Sequence, residues 1–151
     1  MKRIFLVLTI FLVFCNPALA KKPKQPSKNI VGGPVDAVVE HVADGDTFSA
    51  MVELKNGIEI TVRVRILEID APEMNGQCQS EIDGALAAKK RLGELLPLGK
   101  HIQLFDVKDD KYLGRIDAVV KDTDGRNIGE VMLDEKFARP YAGKKRQSWC
   151  D

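Results

Sequence analysis

The segment from Asn56 to Leu67, NGIEITVRVRIL, decides how this chain folds. Ile58, Ile60, Val62, Val64 and Ile66 recur at every second position, with Glu59, Thr61, Arg63 and Arg65 between them. A period of two places the sets on opposite faces of a strand, one turned to a core and one to water. Asn56-Gly57 tolerates the positive φ that a type I′ turn demands, so the run Phe48–Leu54 before it should fold back as an antiparallel neighbour.

Three further runs rich in β-branched residues, Val35–Val42, Ile102–Val107 and Ile116–Val120, bring the expected strands to five. Between the third and fourth, Ser80 is placed to cap a helix and Asp83 to complete a capping box. Ile82, Ala85, Leu86, Leu92, Leu95 and Leu96 form its apolar face, and Pro97 and Gly99 end it. Gly84 and Gly93 weaken that helix by up to about 1 kcal/mol each. A second helix is expected after Asn127, carrying Ile128, Val131, Met132 and Leu133. Five strands with a helix between the third and fourth predict an α+β domain, a small closed barrel of the oligonucleotide-binding type.

The rest of the chain bounds the function. Met1-Lys2-Arg3, the apolar run Ile4–Cys15 and the small-x-small site Ala18-Leu19-Ala20 read as a cleavable signal peptide, residues 1–20. The apolar run is too short for a membrane span, which needs about 20 residues. The mature chain is expected in the periplasm or the medium, with no membrane attachment. Residues 21–34, opening KKPKQPSK, read as a flexible basic leader, and residues 35–151 as one domain. The chain has 23 Lys+Arg against 22 Asp+Glu, so losing Lys2 and Arg3 leaves the mature protein nearly neutral. An anion site must then be built from locally placed basic residues. In an oxidising compartment Cys78 and Cys150 read as a disulfide, with two free thiols as the alternative. A bond would pin the tail and give Trp149 a fixed packing site. His41 and His101 stand isolated and read as ordinary barrel residues rather than zinc ligands.

Charged residues gather beside tight turns in three places: Asp44-Gly45-Asp46-Thr47, Arg65–Glu73 (RILEIDAPE) and Lys111–Arg115 (KYLGR). Each alone has an ordinary reading as a turn or a solvated strand end. Their order and spacing together resemble the thermonuclease, or staphylococcal-nuclease-like, domain family across nearly all of Val35–Tyr141. The resemblance implies a Ca²⁺ site made by Asp46, Asp70 and the main-chain carbonyl of Ala71, all hard oxygen donors. It implies that Arg65 and Arg115 clamp the phosphate with planar donor forks. Glu73 takes the place of the group that draws a proton from the attacking water. Tyr112 and Tyr141 match tyrosines that contact the nucleotide.

The activity so implied is calcium-dependent hydrolysis of DNA and RNA by a monomer, with single strands preferred and 3′-phosphate ends left behind. Plainer roles stay open for the same residues: turn carboxylates that bind no metal, a Glu73 that only pairs with Arg65 or Arg115, and tyrosines that only pack. The competing class is a barrel that binds single strands without cleaving them. Three departures from the family pattern stand out. Leu113 is an extra residue between Tyr112 and Gly114 and predicts a bulge on the way to Arg115. Lys136 sits where the family often has Gly at a helix end, and a positive φ there would cost about 1–2 kcal/mol. The sequence ends at Asp151 without the longer carboxyl-terminal helical region of some relatives.

Overall fold

The computed structural model describes residues 34–150; residues 1–33, on which the expected signal peptide and leader fall, and Asp151 lie outside the described residues. Five strands close the barrel: β1 (Val35–Val42), β2 (Thr47–Glu53), β3 (Glu59–Ile66), β5 (His101–Asp109) and β6 (Arg115–Asp122). Two-residue strands β4 (Ile69–Asp70) and β7 (Arg139–Pro140) pair with each other outside it. Helix α1 (Gln79–Leu95) lies between β4 and β5, and α2 (Ile128–Asp134) follows β6. Around the barrel the order is β1-β2-β3-β6-β5 and back to β1. All pairings are antiparallel except β3 with β6. A parallel pair needs a long crossover, and α1 with β5 supplies it. The chain is thus an α+β protein with a five-stranded barrel like that of the oligonucleotide-binding fold, as the strand pattern predicts.

The core fills the barrel and its α-helical side. Phe48, Val64, Ile66, Leu104 and Val120 from the strands meet Leu92, Leu95 and Leu96 at the end of α1 and Ile128 and Met132 of α2. Helix α1 buries Glu81, Ala85, Ala88, Leu92 and Leu95, a stripe at alternating spacings of four and three. Leu86 falls outside that stripe and points to water, 51 % exposed, which corrects its expected place on the apolar face.

The helix also begins differently from the expected Ser80/Asp83 capping box. Cys78 occupies the N-cap position without a side-chain cap, and Asp83 instead accepts from the Gln79 side chain at 2.8 Å. Glu81, three residues into the helix, reaches back to accept from the Gln77 amide at 2.9 Å. Asn127 caps α2 as expected, accepting from the Gly129 amide at 3.0 Å. At its far end Lys136 does adopt positive φ, 63°, and the Lys136 and Phe137 amides close a Schellman pattern onto the Leu133 and Met132 carbonyls.

Alternation overstates the core at the start of β3. Ile58 and Ile60 are 54 % and 38 % exposed, because β6 pairs with β3 only from Arg63 to Ile66 and the hairpin tip projects past the barrel. The extra residue Leu113 makes no bulge either. It sits in a turn closed by the Arg115 amide on the Tyr112 carbonyl at 3.2 Å, with Gly114 at φ 80°. The irregularity lies upstream in β5, between Phe105 and Lys108. Cys78 and Cys150 stand at disulfide distance, 2.07 Å between sulfurs, and close a loop of 72 residues from the start of α1 to the tail.

The two ends of β3 should respond differently to truncation. Ile66→Ala empties a fully buried site and should cost about 2–5 kcal/mol in urea unfolding. Ile58→Ala should stay within about 0.5 kcal/mol of the wild type. Equal losses at both would contradict the placement of the hairpin tip.

Candidate active site

The turn that opens β2 sets the first acid. The Ala43 and Asp44 amides both bond the Thr47 carbonyl, and the Asp44 carboxylate accepts from the Asp46 amide at 3.1 Å. Glycine is required between the two aspartates. A Cβ on Gly45 would lie 2.7 Å from both the Ala71 and the Ala88 Cβ atoms, so the turn is pressed against the second acidic segment and α1. Asp46, 3 % exposed, is consequently held inside. Its Oδ1 accepts from Thr47 Oγ1 at 2.9 Å and Arg65 Nη1 at 3.0 Å, and its Oδ2 from the Ala71 amide at 3.2 Å.

The second acid comes from β4, whose pairing with β7 sets Asp70 opposite Arg139. Asp70 is 1 % exposed. Its Oδ2 accepts from Arg139 Nε at 3.2 Å, Arg139 Nη2 at 3.0 Å and Trp149 Nε1 at 3.1 Å. Its Oδ1 faces Arg146 Nε, with Arg65 Nη2 4.0 Å away. Glu73, three residues on, is half exposed and pairs with Arg146 rather than with Arg65 or Arg115. One guanidinium therefore bridges Asp70 and Glu73 and comes within 3.8 Å of Asp46.

These groups border a cleft of about 600 Å³ lined by Arg65, Glu73, Tyr112, Arg115, Tyr141 and Arg146 among others. Every side chain expected in the site, with the Ala71 main chain, lies in this cleft or in the acidic cluster at its floor. Arg63, Arg65, Arg115 and Asp117 meet there because β3 and β6 pair in parallel, Arg63 beside Arg115 and Arg65 beside Asp117. Arg115 is tied to Asp110 through Nε and lies 4.6 Å from the Tyr112 ring centre. The Tyr141 ring centre is 6.0 Å from the Arg65 guanidinium carbon, and its hydroxyl donates to the Lys144 carbonyl at 2.6 Å.

Charge in the cleft is finely set. Burial pushes the Asp46 carboxyl up to about 6; Arg65 opposes that shift most strongly and Asp44 adds to it. Burial, together with the neighbouring Asp110 charge, raises Asp117, and its Oδ1 is buried without a hydrogen-bond partner. Burial acts on Asp110 as well, but the Arg115 hydrogen bond and charge outweigh it and hold that acid low.

The donor set of Asp46, Asp70 and the Ala71 carbonyl is all oxygen, which fits a hard divalent cation. A buried carboxylate whose proton is held this tightly gains from a cation beside it. Cys78, Glu81 and Cys150 also lie close together, but both sulfurs are taken up by each other.

The sequence pattern does not mark Arg139, Arg146, Asp110 or Asp117, and it marks Trp149 only as a residue that the disulfide would pack. The available signal was the basic run Lys144-Lys145-Arg146 between Tyr141 and a pairable cysteine. Compared with models of known families and with curated proteins, the chain matches none.

The Asp46 shift has a definite sign. Its folded pKa lies above the ordinary 3.8, so the native state holds the proton more tightly. The stability this contributes is full below about pH 4 and lost as pH rises through about 6. In calcium-free buffer Asp46→Asn should therefore gain on the wild type, by on the order of 2–3 kcal/mol between pH 4 and pH 7. Urea titrations across that range check this, and a difference that does not change with pH contradicts it.

Proposed function

We propose that this protein is an exported, calcium-dependent endonuclease of the thermonuclease type, which hydrolyses DNA and RNA as a monomer and leaves 3′-phosphate ends. The observation that carries the reading is a juxtaposition. Two buried aspartates bridged by Arg65 lie beneath a cleft that also holds Glu73 and Arg115. Strand binding alone has no use for acids next to a phosphate, since they repel it.

Arg65 and Arg115 offer guanidinium forks from neighbouring strands, suited to opposite sides of one phosphate and to the extra charge of five-coordinate phosphorus. Asp110 and the Tyr112 ring hold Arg115 in a fixed pose, which lowers the cost of orienting it. Glu73, half exposed at the cleft wall and paired with Arg146, takes a proton from water as that water attacks phosphorus. As the new bond from water to phosphorus forms, the bond to the 5′ oxygen breaks, and that oxygen takes a proton from solvent water and leaves as a hydroxyl. Tyr112 and Tyr141 flank the position of the nucleotide. Calcium, held by Asp46, Asp70 and the Ala71 carbonyl, would supply positive charge to a phosphate oxygen and order the attacking water.

Digestion of single-stranded DNA by the mature protein, with Ca²⁺ and with a chelator, tests the reading. Asp70→Asn keeps the shape of the side chain but lowers its charge, and should cut calcium-dependent cleavage by about 100-fold or more while circular dichroism stays native. Undiminished cleavage would remove Asp70 from the metal site. Arg115→Lys keeps the charge and loses the fork, so kcat should fall by more than KM rises. Kinetics equal to the wild type would remove Arg115 from the reaction.

A further inference from the structure

We infer that Trp149, held by the Cys78–Cys150 disulfide, is a positioning residue that fixes the Asp70 carboxylate and thereby sets how tightly the site holds calcium. The inference rests on the calcium reading above and concerns a part of the chain that reading does not use. Asp70 receives three hydrogen bonds on a single oxygen, Oδ2: two from Arg139 at 3.2 and 3.0 Å and one from the indole of Trp149 at 3.1 Å. Donors concentrated on one oxygen lock the rotation of the carboxylate. They leave Oδ1 as the oxygen turned toward Arg146 and Arg65, two arginines that also line the cleft.

Trp149 lies in no helix or strand, so other contacts must place it. Its ring stacks on Arg139, 4.1 Å from the guanidinium carbon to the ring centre. Arg139 also donates to the Ser148 carbonyl at 2.9 Å and to the Gln147 carbonyl. The next residue, Cys150, is joined to Cys78 at the start of α1, with 5.9 Å between Cα atoms. Without that bond the end of the tail is free to leave, and the indole goes with it. Groups that hydrogen-bond a metal ligand from behind change metal affinity by about 10- to 100-fold.

Trp149 is the only tryptophan in the chain, so its emission reports directly on this contact. Calcium binding to the mature protein is measured by calorimetry and by Trp149 emission, alongside Trp149→Phe and Cys150→Ser. The wild type should bind with a shift in emission. Trp149→Phe keeps a ring over Arg139 but loses the N–H, and should bind about 10-fold or more weakly. Cys150→Ser should weaken binding in the same direction. At saturating calcium the kcat of Trp149→Phe should return to within about threefold of the wild type, because only the hold on the metal has changed.

Trp149→Phe affinity within about twofold of the wild type would overturn the positioning role. A kcat that stays low at saturating calcium would reduce the tail to a structural element and overturn it as well. Wild-type affinity in Cys150→Ser would overturn the tether while leaving the indole contact. A wild-type protein that binds no calcium at all would instead bring down the calcium reading on which the inference stands.

Discussion

Asp46 and Asp70 are both withdrawn from water, and Arg65 stands between them, 3.0 Å from one carboxylate and 4.0 Å from the other. Burying two acids is costly unless cations and donors surround them, and much of the local structure answers that need. The close turn at Gly45, the β4–β7 pair and the returning tail each bring a group to one of the two acids or hold it in place. Arg139, Arg146 and Trp149 all arrive at Asp70 from the last dozen described residues. The barrel supplies a wall; the acids dictate what is built on it.

The wall has its own logic. Parallel pairing of β3 with β6 aligns Arg65 with Asp117 and Arg63 with Arg115 on one outer face. Two strands distant in sequence thus deliver Arg63, Arg65 and Arg115 to the same cleft. The positive φ at Gly114 turns the chain just before Arg115, and Asp110 then fixes the direction of that side chain. The site is assembled from strand ends and turns on a rigid scaffold, which is where positional precision is least expensive to maintain.

Much of this was legible in the sequence. Period-two alternation located the strands, Asn56-Gly57 located the hairpin and Asn127 located the second helix, because those signals depend on backbone geometry alone. The Asp46, Arg65, Asp70, Ala71, Glu73 and Arg115 set was named only through the resemblance to the thermonuclease family, since each of its segments alone reads as a turn or a solvated strand end. What escaped depends on tertiary context. Ile58 and Ile60 alternate like core residues, yet β6, the neighbour on the other side of β3, does not reach them. Ser80 looks like a cap, but Cys78 and the tail shift the helix start and Glu81 satisfies the amide before it. The contacts of Arg139 and Trp149 with Asp70 carry no local signal, although the neighbouring cysteine marks Trp149 for packing, since the β4–β7 pairing and the disulfide bring them there.

The central claim is a chemical one, that this cleft breaks a phosphodiester bond with water. It is tested most directly by digesting single-stranded DNA in ¹⁸O-labelled water with calcium and weighing the products. The account predicts fragments ending in a 3′-phosphate that carries one labelled oxygen, with unlabelled 5′-hydroxyl partners, and none of either when calcium is chelated. Strands that are bound but recovered intact, or a label found on the 5′ side of the break, would contradict it.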